Sequence, residues 1–269
     1  MFKNILKGII IGIAKIVPGV SGSMIAISFG VYKPTLETIS NLKKLTFNKI
    51  KFLISLFLGI MLGICLFSNI VKYFLDKYYL STILLFIGLI IGTIKITVNE
   101  ILKDVKLSKK CKLSEVLILL FSFTFCILLS LSLNINIKQN NFIIYFILGF
   151  IEAFSSIVPG ISGTAIFMSL GYYETIINFF SNVFHPTNYV FACFFIIGII
   201  FGILVLAKII TFLFNHYKRK TYISIIGFMT SSIIIILLKV FEKNFSIIEL
   251  IIGIILCYLG YKFIIKTTN

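Results

Sequence analysis

The sequence predicts an all-α integral membrane fold built as an inverted repeat, with two re-entrant broken-helix hairpins and about six transmembrane helices. Three observations carry that expectation: the composition, the spacing of long apolar runs, and a Pro-Gly motif that occurs twice. Of 269 residues, 59% are hydrophobic and 13% charged, whereas soluble domains average roughly 45–50% apolar and about 25% charged. The formal charge of +16 would suggest nucleic acid in a soluble chain. Here the lysines punctuate uncharged runs and form no aromatic-basic motif, so no nucleic-acid partner is expected.

A spanning helix needs about 20 mostly apolar residues to cross roughly 30 Å of hydrocarbon. Six runs approximate this: Phe52 to Val71, Tyr79 to Ile94, Val116 to Leu133, Tyr189 to Phe214, Tyr222 to Leu238 and Ile247 to Ile265. Two further apolar stretches, Ile5 to Tyr32 and Phe142 to Tyr173, are interrupted by VPGVSG at 17–22 and VPGISG at 158–163. Proline removes a backbone donor and turns the preceding residue away from helix, and glycine permits positive φ. Each stretch therefore reads as two short helices joined by an open turn. Such backbone is tolerated at membrane depth only where protein buries it or a wet cavity hydrates it. Lys3 and Lys7 before the first apolar run imitate a secretory signal, but the motif's return 141 residues later argues against cleavage there.

That offset pairs Gly8 with Gly149, Ile16-Val17-Pro18-Gly19 with Ile157-Val158-Pro159-Gly160, Ser21-Gly22 with Ser162-Gly163, Gly30 with Gly171 and Tyr32 with Tyr173. Three apolar runs follow each copy, which divides the chain into halves at 1–138 and 139–269 that together make one membrane domain. If both broken elements are re-entrant, 19 basic residues fall on one face and 5 on the other. Alternative threadings distribute them less unequally. The positive-inside rule then predicts an inverted second half, both termini cytoplasmic, and the segment after Phe180 outside.

Paired discontinuous helices in inverted halves are a transporter architecture, with the substrate held near the midplane. Pro18, Gly19, Ser21, Gly22 and Ser23 in the first turn, and Pro159, Gly160, Ser162, Gly163 and Thr164 in the second, suit an anion. Exposed N–H groups and hydroxyls donate, and the glycines let backbone approach a phosphate. The same small residues also suit close helix packing; duplication favours the binding reading. Lys15 and Glu152 are intramembrane charges and so functional candidates. Counted from Ile5 and from Phe142, each lies about 15 Å along its helix. Lys15 suits neutralising a phosphate and Glu152 suits pairing with it or carrying a proton, while a Lys15–Glu152 pair that merely joins the halves remains the alternative. They are not repeat equivalents: Lys15 aligns with Ser156, and Glu152 with Ile11.

Two His, one Arg and five Cys without a CxxC pair leave no triad, no metal site and no disulfide framework. No catalytic residue, metal or cofactor is expected, and the chain reads as a non-enzyme. A membrane lipid phosphatase, which also handles lipid phosphates, is disfavoured by the same inventory. A small-anion or organic-acid carrier is the closer competitor. Lysine runs at 43–51 and 103–112 have the character of membrane-surface contacts, and nothing in the sequence specifies an oligomeric state.

The duplicated GxxxGxAxxVPGVSG…GVY and G…VPGISG…GYYE pattern resembles the bacterial polyprenyl-phosphate transporter family along the whole chain. The resemblance implies movement of undecaprenyl phosphate from the outer to the inner leaflet of the bacterial cytoplasmic membrane for carrier recycling in cell-envelope synthesis. It carries Pro18, Gly19, Ser21, Gly22, Tyr32, Pro159, Gly160, Ser162, Gly163, Tyr173 and Glu174 as site residues. This chain departs from the pattern at Lys15, where the family often has an acid. It departs again at Gly22-Ser23-Met24 in place of Gly-Gly-Thr, and at Lys33 in place of an acid. With these departures, a coupling mechanism that relies on a first-half carboxylate is not expected here.

Overall fold

A computed structural model describes residues 1–16, 21–41, 43, 45–103, 112–130, 141–161, 163, 166–167, 170, 172, 189–241 and 245–268. Among these, ten helices follow one another. They are α1 (Phe2–Ile16), α2 (Gly22–Ser28), α3 (Tyr32–Ser40), α4 (Phe47–Lys77), α5 (Tyr79–Lys103), α6 (Leu113–Ser130), α7 (Phe142–Ile157), α8 (Tyr189–His216), α9 (Lys218–Phe241) and α10 (Ile247–Thr268). Five, α4, α5, α8, α9 and α10, are long and apolar enough to cross a membrane. The sixth expected span corresponds to α6, whose 18 residues reach about 27 Å at 1.5 Å per residue; the rest of that run lies outside the described residues. The helices are also longer at their ends than the hydropathy runs suggested. α4 begins at Phe47 and takes in Lys72 and Lys77, and α9 begins at Lys218 rather than beyond a loop.

α2 doubles back along α1. Its first residue, Gly22, lies on the Lys15 stem, where an added Cβ would stand 2.7 Å from Lys15 Cγ. Beyond its last turn the Phe29 carbonyl accepts from Lys7 Nζ at 2.8 Å. Gly30 then takes φ +66°, the left-handed conformation that favours glycine, and turns the chain into α3. The first apolar stretch ended at Tyr32; the helix continues beyond it because Tyr32 and Leu36, one turn apart, are both buried in the core.

Glycines set the helix pairing, since a missing side chain lets backbones touch. Gly8 and Gly12 abut the backbone of α4 at Leu56 and Ile60, while Gly59 and Gly63 abut α1 at Ile5 and Ile9. Contacts advance together along both helices, so α1 and α4 run parallel. The second half repeats this: Gly149 abuts Phe195 of α8, Gly198 abuts Phe146 of α7, and Gly202 meets Ala153.

The remaining spans pair across the halves. α5 packs along α10 and α6 along α9. Gly88 of α5 meets the Cys257 backbone, and Gly227 of α9 meets Leu119 and Ser122. At one end of the first pair, Glu249 Oε1 accepts from the Leu80 N–H at 2.9 Å, satisfying a donor that the start of α5 would otherwise leave open. At one end of the second, Arg219 and Glu115 form an ion pair at 2.8 Å. The one arginine of the chain thus ties α9 to α6 rather than standing in a basic loop. α5 is the central span, 61% of it buried against 17% of α10, so α10 offers most of its surface outward.

Candidate substrate-binding site

The two interrupted helices bring their polar residues together. Lys15 Nζ donates to Ser156 Oγ at 3.0 Å, Ser156 Oγ donates to Glu152 Oε1 at 3.2 Å, and Lys15 Nζ lies 4.0 Å from the same carboxylate oxygen. A cation, a hydroxyl and an anion therefore form one short chain from α1 to α7. The two charged side chains remain about one third exposed, at 34% and 32%. At that exposure a bare ion pair contributes little, so the ammonium keeps both access and capacity for another anion.

The glycines after each break make room for this cluster. Gly22 lies against Lys15, and Gly163 lies against Ser155 Oγ and 3.0 Å, by its added Cβ, from Glu152 Oε2. Any side chain at either position would push the charged group aside. Ser21 and Ser23 are buried and share a hydrogen bond of 2.6 Å. Tyr32, also buried, donates to the Ile157 carbonyl at 2.9 Å, satisfying an acceptor at the last turn of α7. Its ring meets Phe214 edge-on, which meets Tyr222 in the same way.

Lys15, Ser23, Tyr32 and Ser156 line a cavity of about 370 Å³ whose other walls, including Ile11, Leu56 and Ile203, are mostly apolar. The cavity also takes in Phe57 of α4, which is 61% exposed. Tyr32 lines a second cavity of about 590 Å³ as well, a more polar one with Lys7, Lys33, Asn99 and Glu100 in its wall. The first can receive an amphiphile with its anionic group at Lys15 and its chain against aliphatic side chains.

Of the residues singled out in the sequence, the fold gathers Lys15, Gly22, Ser23, Tyr32, Glu152 and Gly163, with Ser21 directly behind Ser23. Pro159 and Gly160 sit apart from them. Gly160, at φ +88°, presses on the Phe228 backbone of α9, and its carbonyl accepts from Ser232 Oγ and Cys126 Sγ. Gly160 therefore joins the second turn to the α6–α9 pair. Pro18, Gly19, Ser162, Thr164, Tyr173 and Glu174 lie outside the described residues, as does the segment around Phe180. Sequence reasoning passed over Ser156, which bridges the two charges. Its signal was present: it is the residue 141 positions after Lys15, and it stands one turn after Glu152.

A sequence profile of undecaprenyl phosphate translocase-like proteins matches residues 11–247. The chain belongs to that family. Among curated relatives it is similar to a polyprenyl-phosphate transporter of Staphylococcus aureus, 28% identical over 86% of this chain and 84% of the relative. A polyprenyl-phosphate transporter of Vibrio cholerae is 26% identical over 85% of this chain and 75% of the relative. No solved structure matches the chain. The resemblance carried by the duplicated motif is thus borne out, and both relatives are named as transporters rather than enzymes.

Proposed function

We propose that this chain is a polyprenyl-phosphate transporter that returns undecaprenyl phosphate from the outer to the inner leaflet of the bacterial cytoplasmic membrane. It works by alternating exposure of a site shared by two inverted halves, 1–138 and 139–269. The carrying observation is the apolar cavity with Lys15 and Ser156 in its wall, next to Glu152. A lipid phosphate brings two or more oxygen acceptors and a hydrocarbon tail, and the cavity offers an ammonium, hydroxyls and aliphatic walls. Phosphate binding replaces Glu152 as the partner of Lys15, and on release the carboxylate takes that place again.

Re-entrant hairpins in each half are supported by the parallel course of α1 and α4 and of α7 and α8, since a chain that enters with the first helix must return before the second begins. A two-fold relation of the halves is supported by the exchange of partners, α5 with α10 and α9 with α6. Inversion is supported by the parallel course of these pairs, whose helices start together at Leu80 with Glu249 and at Glu115 with Arg219. Consecutive spans alternate in direction, so α5 parallels the counterpart of α6 only if the second half is inverted. The lysine asymmetry assigns both termini to the cytoplasm. Tyr32, shared by the two cavities, separates the apolar compartment from the polar one and stands where the headgroup would pass. A small-anion carrier would need a mostly polar vestibule at the charged site, and the mostly aliphatic walls around Lys15 speak for a lipid.

The decisive measurement is leaflet exchange of labelled undecaprenyl phosphate in proteoliposomes. Exchange above that of protein-free vesicles is expected for the wild-type chain, together with an external location for a reporter fused after Phe180. Exchange no faster than in empty vesicles would overturn the proposal. Gly160→Leu is a poor inactive control, because Gly160 packs on α9 backbone and its loss would disturb the fold. Lys15→Gln is preferable.

A further inference from the structure

On the other side of α1 from Lys15 lies a larger groove, about 960 Å³, bounded by α1, α5 and α10. Its walls are almost wholly apolar, with Ile13 and Ala14 from α1, Leu89 from α5, and Leu259 and Phe263 from α10, and its charged members are Lys262 and Lys266. These lysines stand one turn apart at the end of α10 and are exposed. Among the described residues neither pairs with a carboxylate; Lys262 lies over the Tyr258 ring at 5.1 Å.

We infer that this groove is a binding site for a two-chain anionic phospholipid, its headgroup on Lys262 and Lys266 and its acyl chains along Leu259, Leu89 and Ala14. Length and charge select that occupant. From Leu256 to Lys266 the groove follows α10 for ten residues, about 15 Å, which is half of the roughly 30 Å hydrocarbon core. It is therefore one leaflet deep, with both cations at one end, matching an acyl chain below an anionic headgroup. An undecaprenyl chain, with eleven isoprene units, far exceeds one leaflet. Basic pockets between membrane helices bind anionic headgroups in this manner. The site faces away from Lys15, and the inference does not depend on what the chain transports.

The test uses the full chain, purified in detergent and stripped of lipid, titrated with phosphatidylglycerol or phosphatidylcholine and read by bound-lipid adducts in native mass spectrometry. Wild type is expected to retain phosphatidylglycerol with roughly tenfold preference. Lys262→Gln/Lys266→Gln should abolish the preference, while Lys49→Gln/Lys51→Gln, which removes the same charge at the start of α4, should leave it intact. Leu259→Trp, filling the groove with both lysines present, should reduce retention of either lipid. Preference persisting in the Lys262/Lys266 variant, or lost equally in the Lys49/Lys51 variant, would overturn the site in favour of diffuse surface charge. Displacement of phosphatidylglycerol by equimolar undecaprenyl phosphate would also overturn it, giving the groove to the transported lipid. A separate failure of wild-type leaflet exchange would count against the transport proposal alone.

Discussion

The α1–α4 pair and the α7–α8 pair are built alike and charged differently. In both, glycines one or two turns apart let the first helix lie on the backbone of the second, Gly8 with Gly59 in one half and Gly149 with Gly198 in the other. Yet the residue that is Lys15 in α1 is Ser156 in α7, and Ile11 in α1 becomes Glu152. Backbone contact depends on the shape of the pair, so duplication keeps it. The polar cluster uses each half once, and the symmetry is broken there. A cation from the first half bonds to the serine in its own repeat position in the second, 3.0 Å away. The two pairs share their glycine packing and differ in the charges they carry.

The shared part of this comparison should be the more costly to disturb. Gly59→Leu and Gly198→Leu each drive a side chain into the backbone of a neighbouring helix, and each should cost about 3 kcal/mol, the upper end for overpacking. Loss of the monodisperse chromatographic peak in both variants is the expected reading. A stable Gly198→Leu beside a collapsed Gly59→Leu would show that the pairs are not equivalent.

The asymmetric part is sharpened by Lys15. Replacing it with Gln should slow leaflet exchange about tenfold, in line with a charged hydrogen bond worth roughly 1.5–3 kcal/mol, and Glu152→Gln should slow it less. Exchange in the double variant should stay as low as in Lys15→Gln, because the ammonium acts on the substrate. Recovery in the double variant would instead make Lys15 and Glu152 a structural pair.

The smallest effect is expected at Tyr32. Removing its hydroxyl in Tyr32→Phe leaves the Ile157 carbonyl without that donor and should cost about 1 kcal/mol, lowering the thermal midpoint by a few degrees with the aromatic contacts retained. A midpoint unchanged from wild type would mean that this link between the halves is not load-sharing.

Much of this was legible in the sequence, but unevenly. The apolar runs located the spans because hydropathy is a local property, and α7 ends at Ile157, immediately before the second Val-Pro-Gly. The run ends were misjudged at α4 and α9, where lysines and an arginine continue the helix; long cationic side chains can reach the interface from within a helix, so charge does not mark its end. α3 was not anticipated because its sequence, YKPTLETIS, is short and mostly polar, while burial of Tyr32 and Leu36 decides for helix. At the site, Lys15 and Glu152 were found as charges out of place. Ser156 was not, since a serine in an apolar helix costs little and attracts no notice alone.

Membrane residence, the two interruptions and the presence of a duplicated plan were determined by the sequence itself, because each follows from local chemistry or from comparison of the chain with itself. Which polar groups meet was decided by tertiary structure. Ser156 and Glu152 meet because they stand one turn apart on α7, but Lys15 comes from α1, more than a hundred residues earlier, and only the fold brings its ammonium within hydrogen-bonding reach of Ser156. The same holds for Gly160. Its motif made it a candidate for phosphate, and packing against α9 made it a joint between helices.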